Sequence, residues 1–361
     1  MKFTINTQDF KVAIDKAVKV IPAKPSLEIL GGVNIIVEND TCTLHATDLE
    51  TTIVSKIPTN KMETGTINFI LDDVKNIQKA MKFFKSDNIT FSIDDITLTI
   101  ASGDKKISQN IKIETDEDSI FPALNEMVAD KKYTYNIDDL KRRFNLIKYA
   151  VSKTDINPIL QGIHFNNGDM VACDSWRLAI NKDISLNIDT PITILANSLK
   201  IATDILQGNI KIETNNKYIS ISDDNTTVIA RLIDRDYILY KKYIPEEKSS
   251  VEMNVENFME NMKYLKTFTS KKSLNAIQWF EDKLKMRTEK GIYETTIDVI
   301  SNLDTVIGFN CDYMIDALSQ FKGKATICLN SRTHPILIKQ EENIAIVMPI
   351  NIKPCNQLFQ K

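Results

Sequence analysis

One supersecondary unit recurs three times in this chain, and no other feature limits its possible folds as strongly. A short strand enters an amphipathic helix, a two-stranded hairpin follows, then a strand, a second helix and further alternating strands. In the first copy the strand is 2–5 and the helix 7–21. Phe10, Ala13, Ile14, Ala17, Val18 and Ile21 fall on one helical face, and Thr7 is the expected N-cap. The pattern restarts with a strand at 133–136 and a helix at 138–152, and again with a strand at 250–253 and a helix at 256–269. Second helices are expected at 72–84, 198–206 and 312–321. Each precedes a turn: Asp87-Asn88, Gly208-Asn209 and Gly323-Lys324. The hairpins at 31–50 and 160–180 match most closely and put Asp48 and Asp174 in equivalent places, where they are expected to cap turns. The chain is therefore expected to be α+β, with domains 1–125, 126–246 and 247–361. Each would pack two helices on antiparallel sheets, and the linkers contain Phe121-Pro122 and Pro245.

Composition narrows the class. An apolar share of 43% supports a sizeable core. Five scattered cysteines with no metal-binding spacing fit a reduced, cytoplasmic compartment, with neither disulfide framework nor zinc. The first residues lack the apolar core of a signal peptide. No run approaches the roughly 20 apolar residues of a membrane span.

The net charge is −3, yet the helices at 7–21, 72–85, 138–153 and 255–272 carry about +1, +2, +3 and +2. Basic helices in an acidic chain are an electrostatic footprint for phosphates. No base-reading motif accompanies them, so sequence-neutral contact with duplex is the expectation. From charge alone the candidates are Lys11, Lys75, Lys79, Lys82, Arg142, Arg143, Lys148, Lys263 and Lys266.

A set of short landmarks runs through the chain in order. They are Met1-Lys2-Phe3-Thr4-Ile5, Leu27-Glu28-Ile29-Leu30-Gly31, Ala46-Thr47-Asp48-Leu49-Glu50, Phe121-Pro122, Val151-Ser152-Lys153, Pro158-Ile159-Leu160-Gln161-Gly162, Asp174-Ser175-Trp176-Arg177-Leu178-Ala179 and Val347-Met348-Pro349-Ile350. In order and spacing the chain resembles the bacterial DNA sliding clamp, the DNA polymerase III beta subunit.

That resemblance implies three clamp domains per chain, forming half of a head-to-tail homodimeric ring around double-stranded DNA. The implied role is a processivity factor in DNA replication, in the cytoplasm at the nucleoid, with no catalysis and no cofactor or metal. It also implies a peptide cleft between the second and third domains. The replicative polymerase alpha subunit, the clamp-loader delta subunit and other proteins insert a Gln/Leu/Phe motif there. The matching positions are Leu160, Cys173, Ser175, Trp176, Arg177, Leu178, Ile238, Lys242, Tyr243, Tyr313, Pro335, Ile346, Val347, Met348, Pro349 and Ile350. Plain core packing is the alternative for Leu178, Val347 and Met348. Lys24 and Lys153 match positions near duplex, whereas Asn157 stands where the family often has arginine. Ile107 and Phe268 match the subunit seam.

The chain runs on past its Met-Pro strand, and its Gln357-Leu358-Phe359 looks like a clamp-binding motif that could visit the cleft; a disordered tail is the alternative. Two further readings stay open: a specialised or mobile-element paralogue, and a peptide-binding repeat scaffold that does not touch DNA. An enzyme would have to draw on His45, His164, His334, Asp48, Asp174 or Cys173, and no third group orients these as nucleophile and base.

Overall fold

The computed structural model describes the chain except for residues 1, 39, 62–65, 114–119, 124–126, 155, 183–184, 270–274, 302–303, 353–357 and 359–361. Among the described residues there are six α-helices, α1 (Thr7–Ala17), α2 (Val74–Met81), α3 (Ile137–Ile147), α4 (Ala196–Ile205), α5 (Val255–Lys266) and α6 (Cys311–Leu318). All six were expected, five of them a few residues longer and α4 two residues later in its start. The surplus lies in terminal turns, such as the 3-10 turn Lys148–Ala150 after α3, where the repeating i→i−4 bonds give out.

The three first helices begin alike. Asn6, Asn136 and Asn254 accept hydrogen bonds through their side-chain oxygens from the backbone N–H groups of the first turn. These are N-caps, satisfying donors that have no helical partner. Asn6, not Thr7, is thus the cap of α1. Thr7 already lies in the helix, and its hydroxyl donates to the Ser86 carbonyl at 2.6 Å. The next N–H in each copy donates to the turn after the second helix: Thr7 to Asp87, Ile137 to Gly208 and Val255 to Gly323, at 2.8, 3.0 and 2.8 Å. The three-fold repetition is therefore present in the backbone itself.

The chain divides into two compact units, residues 1–141 with 197–232, and residues 142–196 with 233–361. In the first unit one antiparallel sheet runs through Lys131–Asn136, Asn209–Thr214, Tyr218–Ser222, Thr226–Arg231, Thr51–Lys61, Lys2–Asn6, Asn88–Asp94, Thr97–Ser102 and Lys105–Asn110. The long strand Thr51–Lys61 also pairs with Thr41–Thr47, which leads to Val33–Glu38 and Ile67–Leu71. Its partner Thr226–Arg231 belongs to the second repeat, so the sheet crosses a repeat boundary without a break.

In the second unit an eight-stranded sheet runs through Ile192–Leu195, Gly162–Asn166, Asp169–Cys173, Arg177–Lys182, Asn343–Val347, Ile336–Gln340, Lys324–Cys328 and Ser250–Asn254. Again a second-repeat strand, Arg177–Lys182, pairs with a third-repeat strand, Asn343–Val347, over five residue pairs. A four-stranded sheet, Gly291–Thr296, Lys283–Thr288, Ala276–Phe280 and Ile307–Asn310, packs its inner face on α5 and α6. Trp279 is fully buried there, edge-on to Phe258, with its ring N–H donating to the Glu281 carbonyl.

Two glycines hold equivalent places at the start of the first two hairpins. A β-carbon on Gly32 would stand 2.7 Å from Ile70 Cγ2, and one on Gly162 only 2.4 Å from Thr193 Cγ2 and 3.1 Å from the Ile194 carbonyl. The hairpin strand can approach its neighbour only with hydrogen at these positions. Gly162→Ala is expected to destabilise the protein by about 1–3 kcal/mol through overpacking. A thermal midpoint equal to the parent's would contradict this.

Each repeat linker is pinned by an aromatic ring on a buried histidine. Phe121 meets His45 edge-on at 4.9 Å, and Tyr237 stacks on His164 at 4.4 Å.

Candidate functional site

The turn that ends the second hairpin is built by one carboxylate. Asp174 Oδ1 accepts hydrogen bonds from the N–H groups of Trp176 (3.1 Å) and Arg177 (2.8 Å), and the Asp174 N–H donates to the Arg177 carbonyl. Ser175 takes a positive φ of 76° to close this loop, a conformation non-glycine residues rarely adopt. Trp176 is thereby left 58% exposed. The first hairpin ends in the same turn. Asp48 Oδ1 accepts from Glu50 and Thr51 at 3.0 and 2.7 Å, and Leu49 has φ 77°. The expectation that Asp48 and Asp174 cap turns is met.

The next strand repeats the parallel. The Met348 N–H donates to the Trp176 carbonyl at 2.9 Å, and the Arg231 N–H donates to the Glu50 carbonyl at 2.9 Å. One backbone scaffold is therefore built twice with different side chains. In the first unit Glu50, Thr51 and Arg231 occupy it, and the Thr51 hydroxyl bonds Ser198 Oγ at 2.7 Å. In the second unit Trp176, Arg177 and Met348 take the same positions, and a pocket opens beside them. It encloses about 180 Å³ and is lined by Leu160, Cys173, Ser175, Trp176, Arg177, Leu178, Ile238, Tyr243, Ile346 and Met348. An apolar hollow with a few polar groups at its mouth suits an apolar peptide anchor.

The pocket floor belongs to a small core that includes Ile159, Val171, Ile180, Tyr237 and Tyr240. His164 lies within it, with Nδ1 2.9 Å from the Thr193 hydroxyl. Burial lowers its pKa to about 4, so it is neutral at pH 7. Burial raises the Cys173 thiol, and the Tyr240 hydroxyl donates to Asp169 at 2.6 Å.

One wall is organised by Arg177, which is 6% exposed. Its Nε and Nη2 donate to Asp174 Oδ2 at 2.9 and 2.6 Å, and its Nη1 pairs with Asp316 on α6. Its guanidinium lies over the rings of Tyr313 at 4.6 Å and Tyr149 at 5.8 Å. Burial alone would lower the Arg177 pKa, but the bonds and charges of Asp174 and Asp316 outweigh it and hold the group cationic. Asp316 and Tyr149 were not anticipated. The available signal was a carboxylate one turn after Asp312 in an otherwise apolar stretch of α6.

Of the cleft positions taken from the resemblance, the structure brings together the ten that line the pocket. Val347 is fully buried in the core of the third repeat, where it faces away from the hollow. Tyr313 instead lines an adjoining hollow with Lys153, Asn157, Trp176, Asp312 and Asp316. Lys242 is exposed, while Pro335, Pro349 and Ile350 are half-buried outside the pocket lining.

The basic candidates divide. Several bond nearby groups: Lys11 the Phe84 carbonyl, Lys75 the Pro22 carbonyl, Lys79 the Asn76 side chain, Arg143 Asn181 and the Lys182 carbonyl, Lys148 Asn145, and Lys266 Asp312. Lys24, Lys82, Arg142, Lys153 and Lys263 are exposed, as are Lys75, Lys79, Lys148 and Lys266 of the bonded set, and Arg142 too has a partner. Ile107 sits on the edge strand Lys105–Asn110, and Phe268 stacks at 3.8 Å on Tyr293 of the edge strand Gly291–Thr296. Of the tail motif, Gln357 and Phe359 lie outside the described residues, and Leu358 donates its N–H to Gln278 rather than lining the pocket.

Two family models match this chain. The N-terminal domain of the DNA polymerase III beta subunit matches residues 1–125, and its C-terminal domain matches residues 241–351. The chain belongs to the bacterial sliding-clamp family. Similar proteins along its whole length are the beta sliding clamps of Streptococcus pneumoniae, 24% identical over 96% of this chain and 98% of that one, and of Bacillus subtilis, 21% identical over 97% and 99%. The solved beta chain from Streptococcus pneumoniae superposes with a TM-score of 0.88 at 22% identity, covering 97% of this chain and 100% of that one. A sliding clamp from Bartonella birtlesii bound to griselimycin gives 0.87 at 20%, covering 98% and 100%.

As a sliding clamp the chain is a non-catalytic accessory subunit of DNA polymerase III. Four of the residues an enzyme would have used have structural roles here: Asp48 and Asp174 hold turns, and His45 and His164 seat linker rings. Among the described residues no group of three or more His, Cys, Asp or Glu is placed to hold a metal, and no helix is long and apolar enough to cross a membrane.

Proposed function

We propose that two copies of this chain close head to tail into a ring around duplex DNA, with three clamp domains per chain at 1–125, 126–246 and 247–361. Held by encirclement, such a ring needs only weak contacts, so it can slide and still stay on. The exposed Lys24, Lys75, Lys79, Lys82, Arg142, Lys148, Lys153, Lys263 and Lys266 are the side chains that would meet phosphates. At the joint, Ile107 on one chain's edge strand would be buried against the region of Phe268 and Tyr293 on the other. The pocket at Trp176 receives the Gln/Leu/Phe motif of the polymerase alpha subunit, the clamp-loader delta subunit and other partners.

The observation that carries this reading is the asymmetry between twin scaffolds. Where the first unit has Glu50 and Arg231, the second has Trp176 and Met348 around an apolar hollow. An exposed tryptophan at a pocket mouth is a typical binding anchor. Trp176→Ala is expected to weaken binding of a fluorescein-labelled Gln-Leu-Phe peptide by about 2 kcal/mol, roughly 30-fold. Binding unchanged by this substitution would remove the pocket from the mechanism. For the ring, protein loaded on nicked circular DNA should stay bound at a salt concentration that strips it from linear DNA. Equal loss from both would remove encirclement.

A further inference from the structure

Met348 is at once a pocket wall and the start of the chain's final segment, and that segment is tied down a short distance beyond it. The Ile350 N–H donates to the Gly308 carbonyl at 2.8 Å. The Ile352 side chain then occupies the space that a side chain at 308 would need. A β-carbon there would stand 2.1 Å from Ile352 Cδ1, 2.5 Å from its Cγ1 and 3.1 Å from the Ile350 carbonyl. Gly308 pairs across the sheet with Gln278, between residues whose side chains fill the core on the opposite face: Ile277, Trp279, Ile307 and Phe309. Gln278 is 7% exposed, and its side-chain oxygen accepts the Leu358 N–H at 2.8 Å. One patch on the outer face of the four-stranded sheet thus holds the segment at Ile350, Ile352 and Leu358.

We propose that this patch is a built seat for the C-terminal segment, and that Ile352 on Gly308 fixes Met348 as a wall of the peptide pocket. The inference rests on the peptide-binding reading of that pocket and adds Gly308 and Ile352 to it as positioning residues that touch no ligand. The reason is entropic. A segment that has left its last strand frays unless tied down, and methionine is a flexible side chain. A pocket wall carried by such a segment would have to be ordered by each incoming peptide, at a cost in affinity. Met348 is held on one side by its own N–H on the Trp176 carbonyl and, two residues on, by Ile350 on Gly308, so that ordering is complete before the peptide arrives. The seat needs glycine at 308 because only hydrogen leaves room for Ile352.

The test uses full-length protein and the fluorescein-labelled Gln-Leu-Phe peptide. Gly308→Ala is expected to weaken binding about tenfold, mostly through faster dissociation. Ile352→Ala should weaken it about threefold, since the backbone anchor at Ile350 stays. The pair Gly308→Ala/Ile352→Ala should bind better than Gly308→Ala alone, because alanine at 352 lacks the two atoms that collide. A sheet merely damaged at 308 would not recover in this way. Trp279 fluorescence during unfolding reports whether each variant is folded, and Ile352→Ala carries the test if Gly308→Ala is not. Equal affinity in parent and variants would overturn the proposal, as would a double variant no better than Gly308→Ala. Tighter binding after removal of residues 352–361 would also overturn it, in favour of a tail that competes for the pocket. A parent protein that does not bind the peptide, or binds it equally well with Trp176→Ala, would instead overturn the pocket reading beneath it.

Discussion

Arg177→Ala should lower the stability of the protein by about 3–5 kcal/mol, the cost of breaking a buried ion pair by removing one partner. The loss comes chiefly from what remains. Asp174, with a side chain only 11% exposed, keeps its two backbone donors but loses a bidentate cation. The rings of Tyr149 and Tyr313 lose the planar group against which they rest. The Asp316 arm is worth less, because that carboxylate is 47% exposed and stays solvated on its own. Asp316→Asn should therefore cost only about 0–1 kcal/mol. The two tryptophans report different parts of the change: Trp279 lies in the core and Trp176 at the pocket mouth. Urea unfolding followed by Trp279 fluorescence gives the stability difference. A difference below about 1 kcal/mol for Arg177→Ala would mean that the ion pair is not buried as described.

The second large effect is acid sensitivity well above the carboxylate range. Burial lowers both His45 and His164 to about 4 from an ordinary value of 6.5. Between those values the unfolded chain takes up protons that the folded chain refuses, so stability rises with pH. The contribution is complete above pH 6.5 and is lost as pH falls towards 4. At pH 5 the loss should be about 2 kcal/mol per histidine, or about 4 kcal/mol together. The two rings serve as seats for Phe121 and Tyr237, so their protonation loosens both linkers. A double variant, His45→Gln with His164→Gln, is expected to be less stable at pH 7 and nearly flat from pH 7 to 5. A parent protein equally stable at pH 5 and pH 7 would rule this out.

Local signals carried much of the fold. The helical stripe from Phe10 to Ile21 located α1, and polar turns located the hairpins. The cap was misread because Asn6 and Thr7 are both good capping residues, and only the backbone decides which lies outside the helix. The strand Gly291–Thr296 was missed altogether. It is a sheet edge with alternate residues exposed, so its apolar signal is weak. The pairing of Thr226–Arg231 with Thr51–Lys61 joins residues some 175 apart in sequence, and no local pattern encodes such a register. The site divides in the same way. The Asp-Ser-Trp-Arg run was legible because it repeats the outline of Thr47 to Thr51. The partnership of Arg177 with Asp316, 139 residues away, was not, nor was the choice of Val347 for the core and its neighbour Met348 for the pocket.

Because backbone ladders cross both repeat boundaries, the repeats are not modules that could be lifted out one at a time. A fragment stopping near residue 246 would bare the length of Arg177–Lys182, five of whose six residues are buried in the intact chain. Such a naked apolar margin invites any other strand to dock on it, so severed pieces of this protein should clump rather than fold. Three copies of one motif are present in the chain, but as a folding entity they were welded together when each lent its border to the next.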